Sequence, residues 1–167
     1  KGAMSEAELH LIRARLRGGL LNKARRGELA IKLPVGFIYD EQKRVQFDPD
    51  KQVRETIILL FATYRRTGSA SATVKHFHKQ GFPFPHRLHT GLQKGELAWS
   101  NLTHSQTLDL LHNPRYAGAF SYGRTRVIRR ADGSFSRQEM SRDQWHALIP
   151  ETHDGYITWE EYEDNQR

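Results

Sequence analysis

The segment 48–68 places the tightest constraint on the fold. Asp48-Pro49-Asp50 opens it with a turn and a helix start, and Thr67-Gly68 closes it. Between them Val53, Ile57, Leu60, Phe61 and Tyr64 recur at helical intervals. That spacing gathers five apolar side chains into one stripe, which must be covered by other parts of the chain. With 167 residues the chain is long enough to bury a real core. The pattern therefore predicts a core helix with shorter elements packed around it.

Signals on either side predict those shorter elements. Ser5-Glu6-Ala7-Glu8 reads as a capping box, followed by Leu9, Ile12, Leu16 and, less regularly, Leu20 on one helical face. Arg13 and Arg17 share another face, one turn apart. Gly18-Gly19 weakens this helix by about 1 kcal/mol per glycine relative to alanine, and it is expected to end near Arg26-Gly27. Its apolar stripe has no partner within its own length. It must dock on this chain, on another subunit or on a further domain. Residues 28–34 read as an extended linker, because Pro34 disfavours helix at Leu33.

Gly36-Phe37-Ile38-Tyr39-Asp40 and Arg44-Val45-Gln46-Phe47-Asp48 flank a polar turn and predict a small hairpin. Ser69 or Ser71 caps a second, shorter helix with Val74 and Phe77 inward and Gly81 at its end. Phe82-Pro83-Phe84-Pro85 reads as a rigid turn and 86–97 as a surface loop. The stretch 99–118 reads as a short amphipathic helix followed by an aromatic-basic strand. Ser100 or Thr103 caps the helix, Leu108, Leu110 and Leu111 form its apolar side, and Asn113-Pro114 stops it. Residues 117–122 and 124–130 alternate as strands joined near Gly123, with a turn at Asp132-Gly133 and a returning strand at 135–140. Residues 145–149 form a short apolar run, and Thr158 caps a terminal helix containing Trp159 and Tyr162. The expected class is α+β: a small helical domain with a helix-turn-helix-like core and short antiparallel hairpins, behind a long basic N-terminal helix.

Charge narrows the partner. Lys+Arg 26 against Asp+Glu 19 gives a net charge of +7, which favours a polyanion. The charge is segregated. Residues 13–32 carry seven basic side chains and one acidic, whereas Glu151, Asp154, Glu160, Glu161, Glu163 and Asp164 crowd the other end. There are no cysteines, which excludes disulfides and thiolate metal sites. No apolar run approaches the ~20 residues that span a bilayer, so no membrane partner is expected, and the lack of cysteines fits a reducing, cytoplasmic compartment. Lys1-Gly2-Ala3 reads as an expression remnant or the cut edge of a longer chain.

Three groups, two basic and one polar, are candidates for DNA contact. Arg13, Arg17, Lys23, Arg25, Arg26 and Lys32 lie on the first helix and linker, which can cross phosphates and follow a minor groove. Asn101, Thr103, His104, Ser105 and Gln106 gather at the start of the third helix, where polar side chains could meet base edges. Arg115 follows that helix, and Arg124, Arg126, Arg129 and Arg130 form a third group, set against the backbone. For each group a solvated charged surface is the competing reading. His76, His78, His86 and His89 invite a zinc reading, but His76 and His78 point to different sides of a helix and no cysteine completes a site. Neither metal nor cofactor is expected. No Gly-rich phosphate loop, nucleophile elbow or other catalytic constellation is present.

Several blocks together resemble the large serine recombinases. They are Arg25-Arg26-Gly27-Glu28, Pro34-Val35-Gly36-Phe37, the helix through Tyr64, Lys79-Gln80-Gly81-Phe82-Pro83, Trp99-Ser100, Leu110-Leu111-His112-Asn113-Pro114-Arg115-Tyr116-Ala117-Gly118 and the ending 153–166. The likeness is to the recombinase domain that follows the catalytic domain in phage integrases and transposon-borne resolvases. The resemblance implies a sequential order. Residues 1–27 match the end of the long helix from a catalytic domain, 28–34 a linker crossing the minor groove, and 35–167 the domain that binds one arm of an attachment site.

It further implies bacterial or phage origin, a homodimer or tetramer of the full-length protein, and a role in DNA integration and excision within a mobile genetic element. The family's catalytic serine lies in a domain outside these residues, so the resemblance gives Ser5 no nucleophilic role and the fragment no activity of its own. Its cysteine-bearing zinc ribbon likewise falls outside. Two other readings stay open: a helix-mediated dimerisation module, and a basic nucleic-acid-binding domain with no link to recombination.

Overall fold

The computed structural model describes residues 5–167; the reading of Lys1-Gly2-Ala3 lies outside them. The described chain is α+β, with five helices and four two-stranded antiparallel sheets. It forms two compact units interleaved in sequence. The first contains residues up to Ile31 together with 120–152; the second contains 32–119 and 153–167. Within the first unit, 120–152 joins the N-terminal segment through apolar packing of Ala24, Leu29 and Ile31 with Phe120, Ala147 and Ile149.

The first unit is built on helix α1 (Glu6–Arg25). Ser5 caps it with its side chain on the Glu8 amide, and Glu8 reaches back to the Ser5 amide, so the predicted capping box forms. The helix runs through Gly18-Gly19 and stops where Gly27 turns into the left-handed region at φ 71°. Strand β5 (Phe120–Tyr122) pairs with β8 (Ala147–Ile149), and β6 (Thr125–Arg129) pairs with β7 (Phe135–Glu139). Ala24, Phe120 and Ala147 form the buried centre, with Leu29, Ile31, Tyr122 and Ile149 against it.

The returning strand expected after Asp132-Gly133 forms, as β7 against β6, whereas β5 pairs with β8 and not with the strand joined to it at Gly123. Gly123 has φ 85°, and a Cβ there would lie 2.4 Å from the His146 ring. The chain therefore leaves the first sheet at Gly123, and β6–β7 forms an insert between two strands that pair with each other.

The second unit holds the larger core. Hairpin β1 (Phe37–Tyr39) with β2 (Val45–Phe47) forms as predicted, and Asp40 accepts the Gln42 and Arg44 amides in its turn. Helix α2 (Lys51–Thr67) is capped by Asp50 and ended by Gly68 at φ 67°. It buries Val53, Ile57, Leu60, Phe61 and Thr63, while Tyr64 is half-buried. The predicted stripe is thus real, with Thr63 joining it through a hydrogen bond to the Leu59 carbonyl. Helix α3 (Ala70–Gln80) is capped by Ser69 and buries Thr73 and Phe77.

Between α3 and the next helix the structure replaces the expected turn and loop with a hairpin. Strand β3 (Pro83–Arg87) pairs with β4 (Leu97–Asn101). A two-stranded sheet is all edge, so Pro83 and Pro85 can sit in it where a central strand would exclude them. Phe84, buried at the centre of β3, anchors the hairpin to the core beside Phe77. Helix α4 (His104–Leu111) follows, then a 3₁₀ turn (Pro114–Ala117) and finally α5 (Trp159–Asn165), capped by Thr158. The start of the 99–118 reading is corrected accordingly: Trp99, Ser100 and Asn101 are strand, and 115–117 is a 3₁₀ turn rather than the beginning of a strand.

Candidate nucleic-acid interface

Helix α4 gains its orientation from contacts at its start. At its start Thr103 Oγ1 accepts the Gln106 amide at 3.1 Å, and Gln106 Oε1 accepts the Thr103 amide at 3.0 Å. Just before the cap, Leu102 is fully buried, and its carbonyl lies 2.7 Å from His78 Nε2 on α3. Thr107, Leu110 and Leu111 face inward, Leu108 is half-buried, and Asn101, His104 and Ser105 remain exposed. Burial of one side leaves the polar start of the helix directed at solvent. A helix N-terminus also carries partial positive charge, which suits contact with an anionic backbone.

These positions differ in what they can offer. His104 and Ser105 are exposed and positioned by the cap. Thr103 commits its hydroxyl to the cap, and Gln106 commits its side-chain oxygen there, which leaves the amide nitrogen as its donor. Asn101 belongs to β4, opposite Pro83. Arg115 lies inside the protein at 4% exposure, within the 3₁₀ turn. It offers little surface to a phosphate.

In the first unit Arg13, Arg17, Lys23 and Arg25 are exposed along α1. Arg13 and Arg17 line a shallow cavity of about 320 Å³ with Leu16, Leu20, Leu21, Tyr122 and His146. Arg26 pairs with Glu28 at 3.0 Å, an exposed pair of small energetic weight. Arg124 lies at the bend before β6, Arg126 and Arg129 are on β6, and Arg130 closes the turn to β7 through its amide on the Ser134 carbonyl. In the second unit Lys32 Nζ is 2.6 Å from His89 Nδ1 in the β3–β4 loop. That bond ties down Lys32 within the segment 28–34, which is neither helix nor strand.

The histidines are drawn into separate uses. His78 bonds the Leu102 carbonyl, His86 bonds the Ser100 hydroxyl, His89 bonds Lys32 and His76 stacks edge-on against Phe82. Among the described residues no group of three His, Cys, Asp or Glu is arranged to hold a metal ion.

Residues 113–118 serve the core. Asn113 accepts the Arg115 amide, Pro114 starts the 3₁₀ turn, and Tyr116 is buried among Phe37, Phe61 and Tyr156. Burial pushes the Tyr116 hydroxyl well above its ordinary pKa, so it stays protonated and donates to the Val35 carbonyl. Tyr156, likewise raised by burial, donates to the Gly36 carbonyl at 2.7 Å. Gly118 and Gly155 permit the closest backbone approach: a Cβ on Gly118 would lie 2.4 Å from the His153 carbonyl oxygen, and one on Gly155 would lie 2.6 Å from the Gly118 nitrogen.

One basic position escaped the sequence reading. Arg137 on β7 is exposed and donates from Nε to Thr125 Oγ1 at 3.1 Å. Period-two alternation along 135–139 carries the signal, since it puts Arg137 on the face shared by residues 125, 127 and 129.

Comparison with known proteins agrees with the sequence resemblance. A family model described as Recombinase matches residues 51–167. An uncharacterized protein of Sinorhizobium fredii (strain NBRC 101917 / NGR234), y4bA/y4pH, is 52% identical over 166 residues, covering 99% of this chain. The chain spans 24% of that relative's length. A crystal structure of an LSR–DNA complex superposes with a TM-score of 0.57 at 15% identity, over 91% of this chain and 37% of the other. That last likeness is one of fold.

Proposed function

The chain belongs to the Recombinase family, the DNA-binding domain of large serine recombinases, and from that membership we propose that it holds its parent enzyme on one half of an attachment site. The parent would integrate or excise DNA with a serine carried elsewhere. In this reading α1 is the end of the helix arriving from the catalytic domain, and residues 28–34 cross the minor groove. Helix α4 acts as the recognition helix of a helix-turn-helix-like core, with a hairpin in place of the usual short turn. Phosphate contacts from the basic groups supply most of the affinity and base-edge contacts part of the specificity.

The observation that carries the reading is the polar start of α4. His104 and Ser105 stand exposed on a capped N-terminus while the opposite side of the helix is buried. Pull-down of fragmented genomic DNA by the chain, followed by sequencing, tests it. A recurring short motif among the captured fragments is expected. Capture without any shared motif would leave only non-specific binding and remove the recognition role.

The exposed face of α1 favours a second reading that can hold at the same time. Leu9, Ile12, Leu16 and Leu20, which share one face, are 38%, 40%, 65% and 44% exposed, an unusual loss of apolar burial for one helix. A partner helix from a second copy would cover them. Sedimentation of the chain and of a Leu9→Gln, Leu16→Gln variant separates the possibilities: a dimer that becomes monomeric on substitution supports association through α1.

A further inference from the structure

We propose that the β6–β7 ribbon binds duplex DNA through one defined face, made by Val127, Arg129, Phe135 and Arg137. This rests on the DNA-binding reading above and adds a contact surface separate from α4. The register assigns the face. Arg129 stands opposite Phe135, Val127 opposite Arg137 and Thr125 opposite Glu139. Direct partners in an antiparallel pair project to the same side, and so do alternate residues along each strand. The diagonal hydrogen bond from Arg137 to Thr125 is possible only if both lie on that side.

The two faces differ in chemistry. On the opposite side Arg126 is tied to its partner Gln138 at 2.8 Å, and Ile128 is 36% exposed beside half-buried Ser136. On the proposed side Val127 and Phe135 are 70% and 71% exposed, an apolar pair flanked by two guanidinium groups. A two-stranded ribbon is at best marginally stable in water, and nothing in its own sheet covers those side chains. A polyanion with apolar sugar and base edges matches such a face: the arginines meet phosphates, and Phe135 with Val127 meets the groove wall. An acidic protein would satisfy the arginines equally well, but removing them would then leave DNA binding unchanged. Glu139, on the same side, is the one anion that opposes DNA here.

The experiment measures binding of the full chain to a fluorescently labelled duplex of mixed sequence across a salt titration. Replacing Arg129→Gln together with Arg137→Gln removes two phosphate contacts. It should weaken binding about tenfold and reduce the slope of log K against log salt by about 1.8. Phe135→Ser should weaken binding with the slope unchanged. Gln138→Glu, which puts a carboxylate on the opposite face, should leave affinity and slope as they were. Glu139→Gln should tighten binding, a gain that misfolding cannot produce. The proposal is overturned if Gln138→Glu weakens binding as much as the double variant, or if no ribbon variant alters DNA binding. In either case salt-dependent binding by the unmodified chain keeps the broader reading intact. Absence of binding by the unmodified chain removes both.

Discussion

The Tyr116 hydroxyl donates to the Val35 carbonyl across 2.6 Å, joining positions 81 residues apart in sequence. The bond ties the 3₁₀ turn after α4 to the strand-side end of the segment that follows residues 28–34. Through it the turn 114–117, which follows directly after α4, is held against the core. Its conspicuous aromatic and basic residues therefore read as scaffold, while the exposed polar residues upstream read as surface available to a partner.

Removing that hydroxyl tests the scaffold role. Tyr116→Phe keeps the ring but leaves a buried carbonyl without its donor, which should cost about 1–3 kcal/mol. Chemical denaturation should show a lower midpoint with an unchanged slope, since the surface exposed on unfolding hardly changes. A midpoint equal to that of the parent chain would mean that water replaces the hydroxyl at no cost.

Two glycines with similar backbone angles should respond very differently to alanine. Gly68 has φ 67° and open space where the new methyl group would lie, so Gly68→Ala incurs only the left-handed strain, about 1 kcal/mol. Gly118 has φ 78° and would drive its Cβ into the His153 carbonyl oxygen. Gly118→Ala should cost at least about 2–3 kcal/mol, because backbone on both sides must move. Thermal melts of the two variants check the ordering.

Legibility in the sequence followed the range of the interaction. Helix α2 was readable because its caps, Asp50 and Gly68, and its stripe from Val53 to Phe61 are local. The capping boxes at Ser5 and Thr158 and the β1–β2 hairpin were readable for the same reason. The β5–β8 pairing was not, because the whole β6–β7 insert separates Phe120 from Ile149 in sequence. The β3–β4 hairpin was hidden by prolines, which punctuate turns in most contexts but are tolerated on an edge strand. At the candidate interface His104 and Ser105 were readable from their place after a cap. The engagement of Gln106 in that cap and the burial of Arg115 depend on tertiary packing, which composition does not reveal.

His153 links stability to pH. Burial lowers its pKa below the ordinary 6.5, with its ring edge-on against Phe37 and Nε2 at 2.8 Å from the Arg115 carbonyl. The unfolded chain therefore binds more protons than the folded one between the two pKa values. The stabilisation is fully present above about pH 6.5 and is lost as pH falls through the folded value. His153→Gln should flatten the pH dependence of unfolding free energy in that window, relative to the parent chain. Equal slopes in the two proteins would show that His153 does not carry it.

Specificity should separate from affinity at α4. His104→Ala should relax the sequence preference while leaving most non-specific affinity in place. Gln106→Ala should disturb the cap as well, at a cost of about 1 kcal/mol in helix stability. Gln106→Glu keeps an acceptor suited to the capping box but removes the amide donor. Selection of duplexes from a randomised pool by each variant, followed by sequencing, reads the preference directly. A uniform loss of affinity for all sequences would remove α4 from base recognition.

Salt dependence of duplex binding tests the central claim most directly. The chain carries a net charge of +7, with exposed arginines and lysines along α1 and the β6–β7 ribbon. If these neutralise phosphates, log K falls linearly with log salt, with a slope of about −0.9 for each contact. The account predicts a steep slope corresponding to several contacts; weak binding with a slope near zero would contradict it.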